Sequence, residues 1–514
     1  MINRFAVCYE DFGAVGDGIA DDFTAIKNTH DYANKHGLPV IADPAKTYYI
    51  GNNIGSALIM TDTDWGAARF IIDDSKLGIQ DREHNVFTIC SEQKPVKLNA
   101  SSVKKGQIWL DFNTESPLQG NAFVVAEDEN KKRYIRLGLN EGPGVPQTDC
   151  FILDQSGCIL TPVIWDFDSF TSLIAYPIDE RILTIKGGNF ITIANQAESK
   201  YTYYSRGIKI TRSNVVVDGV VHSVINEMGH GAPYGGFVAT RDCAYITFKN
   251  CHFAGHKIYK TIGAAGEPVS MGTYDISLYR SIGVSFMGCK QNNILDTTRW
   301  GVFGSNHCKD IIIDNCILSR IDAHMGVTNL TVRNSIIGWM GIKAIGRGQL
   351  LIENTSVFSG EVVEFRPDYG SHWDGELVIS NVKWYPLWKP EWKPAGRYSI
   401  ITGYNDATHD FGYPCSLPKK ITINDLTVID DELAAEDAYD GVNIISLPIL
   451  TDEQVAGFGN KIVGDYTYAL TSELTLNNVS TQRGKCFAIW SDSRVKNWYP
   501  DVFSVTNCNL STNK

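Results

Sequence analysis

The chain has 514 residues, of which 43% are hydrophobic and 20% are charged, so it can bury a large core. Its formal net charge of −12 argues against nucleic acid or an anionic membrane surface as the main partner. No apolar run approaches the roughly 20 residues needed to span a bilayer, and no signal peptide is visible. The sequence therefore predicts a cytoplasmic protein as written, or an extracellular one if a leader has been trimmed or the chain is a phage component.

The first fifty residues predict a loop, a helix and a strand. Asp21 or Asp22 can cap a helix, Phe23 and Ile26 begin its apolar face, and Gly37 can end it. A short amphipathic helix beside many strands is typical of a cap over an open sheet edge.

The same stretch, EDFGAVGDGIADDFTAIKNTHDYANKHG, resembles the opening motif of the pectate-lyase-like superfamily. That superfamily includes polysaccharide lyases, glycoside hydrolases and phage tailspikes. The resemblance implies an all-β fold, a right-handed parallel β-helix that starts here with the helix as its N-terminal cap. It implies little about the reaction, because one fold hosts many functions.

The rest of the chain divides into two regions by pattern. Residues 77–190 contain strand-like segments separated by irregular turns, which predict an inserted β subdomain. Residues 1–76 then form the cap and the first coils, and residues 191–514 form the main parallel β-helix with loop insertions.

From about Ile208 onward, short apolar runs end repeatedly in Asn or Gly followed by a small residue. From Gly288 these markers are 27, 19, 20 and 27 residues apart. A period near 20 that tolerates insertions is typical of a solenoid. The markers are Asn250, Gly288, Asn315, Asn334, Asn354 and Asn381.

The chain contains 12 cysteines without CxxC or Cys/His metal spacing. Cys251, Cys289, Cys316 and Cys508 each follow an Asn or Gly at the end of a β-like run. We interpret these four as buried, reduced thiols in a stacked core, with disulfides as the lesser alternative.

Ionisable residues fall near one line when successive coils are aligned on their markers. Because stacked strands lie about 4.8 Å apart, such side chains come within mutual reach. The residues on this line are Asp296, Asp322, His324, Lys343 and Glu361. Strand alternation also sets outward the groups Arg320, Asp322 and His324, and Glu364, Arg366 and Asp368.

This concentration of Asp, Arg, His and aromatic residues predicts a functional groove, although outward charges can also serve only solubility. We expect two catalytic carboxylates among Asp322, Asp368, Asp296 and Asp374, with Asp322 and Asp368 first. The expected substrate-binding residues are His324, Arg320, Arg299, Trp300, Lys343, Arg347, Arg366, Glu364, Tyr369, His372 and Trp373.

Three functions are compatible with such a groove. A glycoside hydrolase acting on an oligosaccharide or polysaccharide needs a paired carboxylate acid and base, and is the leading hypothesis. A polysaccharide lyase needs a cation to neutralise a uronate and a base, with calcium as a cofactor in many relatives. A phage-type tailspike or glycan-binding adhesin is the third, and an epimerase or transferase is a minor alternative. No other cofactor and no metal is expected, and a homo-oligomer, trimers included, is compatible with the resemblance.

Two weaker patterns remain open. Glu227 and His230, with His252 and His256 nearby, form either a metal or binding site or the edge of a glycine-rich loop, and the loop edge is favoured. The run WYPLWKPEWKP forms either an aromatic sugar platform or a proline-stiffened loop; its tryptophans are Trp384, Trp388 and Trp392.

Overall fold

The computed structural model forms two compact units. The first comprises Met1–Lys131, Pro146–Asn292 and Thr298–Phe303, and the second Lys132–Val145, Asn293–Thr297 and Gly304–Lys514. The residues that the structure describes are 5–51, 53–136, 142–198, 203–227, 231–262, 268–271, 273–301, 303–366, 369, 372–389, 396–403, 413, 415–431, 438–446, 468–490 and 500–510.

The first unit opens with a short 3-10 helix, Tyr9–Phe12, and the helix α1, Phe23–His36. Gly37 ends α1 in the left-handed conformation, as predicted. The two aspartates divide the expected capping role. The Asp21 carboxylate accepts a hydrogen bond from the Phe23 N–H at 3.0 Å, whereas the buried Asp22 carboxylate accepts those of the preceding loop.

Parallel strands make up most of the first unit, because each coil pairs with the coils above and below it. The chain of pairs β1–β3–β5–β12–β14–β16–β20 is parallel throughout. The strands are β1 (Asp17–Asp21), β2 (Val40–Ile41), β3 (Thr47–Ile50), β4 (Ala57–Ile59), β5 (Thr63–Asp73), β6 (Phe87–Ile89), β7 (Val96–Asn99), β8 (Asn113–Thr114), β9 (Ala122–Arg133), β10 (Val145–Leu153), β11 (Ser172–Pro177), β12 (Leu183–Ile193), β13 (Ile208–Ile210), β14 (Val215–Asp218), β15 (Val221–Ile225), β16 (Gly235–Lys249), β17 (His252–Phe253), β18 (Tyr259–Ile262), β19 (Pro268–Met271), β20 (Tyr274–Met287) and β21 (Lys290–Gln291).

A separate five-stranded sheet interrupts these coils, in the order β10-β9-β11-β7-β8. β11 pairs antiparallel with β7 and β9, whereas the strands of the coils pair in parallel. Its own core includes Phe151 and Phe167, both fully buried. The sheet lies inside the segment 77–190, where an inserted subdomain was expected.

The second unit repeats the same parallel pairing along β23–β24–β25–β27–β30–β33–β35. A column of aliphatic side chains fills its core, made of Ile313, Val332, Ile352, Ile379, Ile423 and Leu476. The strands are β22 (Phe303–Asn306), β23 (Lys309–Asp314), β24 (Ile317–Arg333), β25 (Ile336–Val357), β26 (Val363–Phe365), β27 (Trp373–Trp384), β28 (Arg397–Gly403), β29 (Cys415–Ser416), β30 (Lys420–Val428), β31 (Gly441–Ser446), β32 (Tyr468–Ala469), β33 (Glu473–Thr481), β34 (Cys486–Trp490) and β35 (Val502–Thr506).

The sequence markers are the turns of the coils. Every marker has a positive φ, for example 54° at Asn315 and 48° at Asn354, and the residues before successive markers pair in register. Their amides also stack as a ladder. Asn354 donates to the Asn334 side chain at 3.3 Å, and Asn381 donates to that of Asn354 at 2.7 Å. Asn suits this position because it tolerates left-handed backbone and its amide can both donate and accept.

The residue after each marker from Asn250 to Asn354 is small, points inward and donates back to the carbonyl two residues earlier. The Cys251 thiol does so to Lys249 at 3.2 Å, and the Cys316 thiol to Asp314 at 3.3 Å. Cys289 and Cys508 repeat the contact, and all four carry thiols rather than disulfides. The prediction is confirmed, except that Cys508 is half-buried.

The predicted fold class is therefore confirmed: an all-β, right-handed parallel β-helix with a short N-terminal helix. Within the described residues, no helix has both the length and the hydropathy that a membrane crossing requires. Trp384 of β27 is fully buried and donates its indole N–H to the Ser359 carbonyl at 2.8 Å, so it packs in the core. Trp388 is half-buried, and Trp392 lies outside the described residues.

Replacing Asn354 by Ala should lower the free energy of unfolding by about 2 kcal/mol, because Ala disfavours left-handed backbone and loses the ladder hydrogen bonds. Asn354→Gly should cost about half as much, since Gly adopts positive φ freely. Urea unfolding curves test both, with Lys383→Ala, an exposed side chain on β27, as the control. Unchanged midpoints for both Asn354 variants would contradict a stabilising role for the ladder.

Candidate functional site

In the second unit, three charged residues occupy one column across neighbouring strands. Asp322 of β24 pairs in register with Lys343 of β25, which pairs with Glu364 of β26. Adjacent members are one strand spacing apart, about 4.8 Å. The strand register thus brings together three of the predicted site residues, and their charges alternate in sign.

Asp322 is the most enclosed member of the column and has no exposed surface. Its carboxylate accepts a hydrogen bond from Arg320 at 2.7 Å and two from Arg366 at 2.7 and 2.8 Å. Burial alone would raise the pKa of Asp322, but the two guanidinium groups hold it well below its usual range. Asp322 is therefore ionised and anchors the two arginines, instead of lying open in a groove as expected.

Lys343 joins two carboxylates that retain some exposure. Its ammonium donates to both Glu361 and Glu364, whose side chains are 18% and 19% exposed. Burial opposes the charge on Lys343, yet the two carboxylates raise its pKa. Burial likewise opposes ionisation of Glu364, while Lys343 and then Arg366 lower its pKa. Glu361 lies on the predicted line of ionisable residues, although it was not expected among the site residues.

An aromatic cluster adjoins Asp322's neighbour His324 in the same unit. The ring centroid of His324 lies 5.4 Å from that of Tyr369, and the Tyr134 ring lies 5.6 Å from Tyr369 and 5.0 Å from Tyr413. The His324 Nδ1 also shares a 2.8 Å hydrogen bond with the Asn306 side chain. Tyr134 and Tyr413 were missed by the sequence reasoning, since they come from segments without a marker.

Other predicted residues of the second unit are placed differently. Trp373 is fully buried, packs its ring near Phe365 and donates to the Gly348 carbonyl at 3.0 Å, so it belongs to the core and does not line a groove. His372 is buried and hydrogen-bonds the Ser416 hydroxyl at 2.8 Å. Trp373 pairs in register with Gly346 of β25.

Two of the remaining carboxylates, Asp374 and Asp296, do not join the column. Asp374 is exposed and pairs in register with Arg347, which is buried. Asp296 lies in a turn that its N–H closes onto the Asn293 carbonyl at 3.0 Å, not on a strand. Asp368, one of the two first choices for catalysis, lies outside the described residues.

Arg299 and Trp300 belong to the first unit and join a second, buried polar cluster. Arg299 donates to Glu227 at 3.0 Å, and the Glu227 carboxylate lies 3.3 Å from His256 Nδ1. His256 Nε2 lies 3.1 Å from Asp275, which also contacts His222 Nδ1 at 2.6 Å.

Electrostatics in this buried cluster favour a positive charge on the His256 imidazole. Burial would lower the pKa of His256, but Asp275 and Glu227 raise it to about 9. Burial would raise the pKa of Asp275, whereas His222 and His256 hold it well below its usual range. The expected neighbourhood of Glu227 and His256 is thus real. His252 is half-buried on β17, and His230 lies outside the described residues.

No protein-family model and no curated protein sequence matches the chain. Solved structures to which it is similar include the tailspike gp61 of Pseudomonas phage phi297, with 12% identity, a TM-score of 0.49, and coverage of 93% of this chain and 80% of that one. The Gp54 tailspike of Acinetobacter baumannii bacteriophage AP22, solved with a capsular saccharide, has 8% identity, a TM-score of 0.46, and coverage of 96% and 78%. The A-module of the Azotobacter vinelandii mannuronan C-5 epimerase AlgE6 has 9% identity, a TM-score of 0.38, and coverage of 99% and 100%.

These proteins are parallel β-helix proteins, like this chain, and include the tailspikes named in the sequence-based resemblance. Similarity at this level does not establish a function. The fold itself rests on the strand pairings of the two units.

Asp322→Asn should lower the free energy of unfolding at pH 7 by about 3 kcal/mol, because the buried Arg320 and the mostly covered Arg366 lose their counter-charge. A depressed carboxyl pKa stabilises the fold above the unfolded-state value near 4 and loses that contribution as the pH falls below it. Wild type should therefore lose stability more steeply than the variant between pH 4 and pH 2. Fluorescence-monitored unfolding over this range tests the difference. If the free energy of unfolding falls equally with pH in both proteins, the pKa of Asp322 does not differ between the folded and unfolded states.

Proposed function

We propose that this chain is a carbohydrate-active enzyme, and specifically a glycoside hydrolase, acting at the outer face of β24, β25 and β26. The observation that carries the proposal is the pair of partly exposed carboxylates, Glu361 and Glu364, held on the single ammonium of Lys343. Hydrolysis of a glycosidic bond needs two carboxyl groups, one to give a proton and one to attack or to activate water.

The two glutamates can take different roles. Lys343 and Arg366 lower the pKa of Glu364, which suits the ionised nucleophile or base. Glu361 is then the proton donor. Because both groups contact one ammonium, their separation is closer to the roughly 5–5.5 Å of retaining enzymes than to the 6.5–9.5 Å of inverting ones. We therefore expect retention of the anomeric configuration.

Asp322 supports the reaction through Arg366 and not by touching the sugar. Its buried carboxylate fixes the guanidinium of Arg366, whose side chain is 16% exposed and can donate to sugar hydroxyls. The half-buried His324 offers ring surface of the kind that packs on the apolar face of a sugar, and the buried Tyr369 contacts that ring edge to face.

A polysaccharide lyase is the second candidate, and the two cations near the glutamates, Lys343 and Arg366, favour it. Lys343 or Arg366 would neutralise the carboxylate of a uronic acid, and a base nearby would remove the adjacent proton. A glycan-binding protein without catalysis uses the same hydroxyl and ring contacts and differs only in leaving the glycan intact.

Incubation of the full chain with a broad glycan panel, followed by mass spectrometry, tests the proposal. Products heavier by one water are expected from wild type. Glu361→Gln and Glu364→Gln should each reduce kcat by about 10²–10⁴-fold, as expected for loss of a catalytic carboxyl group. Glu376→Gln, an exposed carboxylate on β27, is the matched control and should retain full activity.

Each other outcome has a distinct meaning. Unsaturated products that absorb in the ultraviolet would replace the hydrolase with the lyase. Hydrolysis with inversion, seen by NMR of the first product, would move the pair to carboxylates further apart, such as Asp322 and Glu364. Glycan binding without any product would end the enzyme proposal and favour the binding protein.

A further inference from the structure

The buried cluster of the first unit has an arrangement that the proposed function does not use. Two imidazole nitrogens, His222 Nδ1 and His256 Nε2, approach the same carboxylate oxygen, Asp275 Oδ1, at 2.6 and 3.1 Å. These three candidate ligand atoms all lie within 4.8 Å of one another. Each of the three residues is buried, and Asp275 has no exposed surface.

The far side of each imidazole is also held by a defined partner. His222 Nε2 shares a 2.9 Å hydrogen bond with the Thr192 hydroxyl, and His256 Nδ1 lies 3.3 Å from the Glu227 carboxylate. A histidine that binds a metal through one nitrogen almost always donates its other N–H to such an acceptor, which fixes the ring. Both rings therefore present their inner nitrogens toward Asp275.

Glu227, the acceptor for His256, is itself fixed. The Tyr259 hydroxyl donates to its Oε1 at 3.1 Å, and Arg299 donates to its Oε2 at 3.0 Å. Arg299 offsets the Glu227 charge, which leaves the Asp275 carboxylate between two imidazoles in the interior. The other Asp275 oxygen accepts the backbone N–H of Ala254 at 2.8 Å. A buried carboxylate in this position requires a positive partner, and a metal ion bound to neutral imidazoles supplies it as well as a protonated imidazole does.

We propose that His222, His256 and Asp275 bind a divalent transition-metal ion of the Zn²⁺ class. Two imidazoles and one carboxylate suit Zn²⁺ and similar ions, whereas Ca²⁺ and Mg²⁺ prefer oxygen ligands alone. Tetrahedral ligands at Zn²⁺ distances are about 3.3 Å apart, so the two contacts to Asp275 need to lengthen by less than about 1 Å. A water molecule completes the tetrahedron.

The site has a structural role. Its ligands come from β15, from β20 and from the segment after β17, so the ion crosslinks three coils in the interior. No substrate reaches buried ligands, and the site therefore does not depend on the proposed hydrolase activity. It departs from the expectation, drawn from the sequence, that the chain binds no metal.

Zinc binding to the full chain tests this proposal. After dialysis against EDTA and then buffer, titration with ZnCl₂ should give one equivalent bound per chain by elemental analysis, and Tm should rise by several degrees. Co²⁺ in place of Zn²⁺ should give visible absorption bands typical of a tetrahedral site. Asp275→Asn and His256→Gln should each weaken binding at least about tenfold, in line with loss of a metal ligand. His252→Gln, a half-buried histidine outside the cluster, should bind as wild type does.

Three results would overturn the site. One is less than a tenth of an equivalent of Zn²⁺ or Co²⁺ bound by wild type, with Tm unchanged by EDTA or ZnCl₂. Another is unchanged affinity in both ligand variants, which would place the metal elsewhere. The third is a Co²⁺ spectrum of an octahedral ion. If a variant does not fold, the Zn²⁺ stoichiometry and the Co²⁺ spectrum of the wild type still test whether the site exists.

Discussion

The structure depends on the register in which its coils stack. Each residue of a coil lies about 4.8 Å from its partner in the next coil, so the column, and not the single strand, is the unit of packing. An aliphatic column fills the core of the second unit, and a column of Asn amides stabilises its left-handed turns. A column of charges must alternate in sign, because like charges in opposed positions destabilise a sheet. Asp322, Lys343 and Glu364 obey this rule, so the geometry of the candidate site follows from the register.

The same dependence explains why the fold could be predicted from the sequence. The markers from Asn250 to Asn381 repeat because left-handed turns accept few residue types, and in five of the six the next residue is small and donates to a carbonyl. Their spacing also predicted that ionisable residues of successive coils share one line, because a constant period fixes which positions stack. Asp322 and Lys343 were found in this way, whereas Glu364 was found from strand alternation.

What the sequence could not provide is which outward side chains are covered. Strand alternation assigns Asp322 to the outer face but does not show that Arg366 lies over it. The number of residues between a marker and the next strand differs from coil to coil. The inward position of Trp373 therefore could not be counted from a marker. The rings of Tyr134 and Tyr413 come from insertions, and the contact between His222 and Asp275 joins positions 53 residues apart with no shared motif. These contacts join positions far apart in the chain, and no local pattern encodes them.

The two clusters both contain carboxylates, but different groups neutralise the negative charge in each. On the outer face of the second unit, Lys343 and Arg366 supply the positive charge through long side chains that keep partial exposure. Water or a sugar hydroxyl can replace one of their hydrogen bonds at modest cost, so this cluster can exchange partners. In the interior of the first unit, Asp275 is enclosed by two short, fixed imidazoles, and no exchange with solvent is open to it. Such a carboxylate needs a positive charge that stays in place, which a bound metal ion would supply. The exchangeable cluster suits ligand recognition, whereas the enclosed one suits a permanent crosslink between coils.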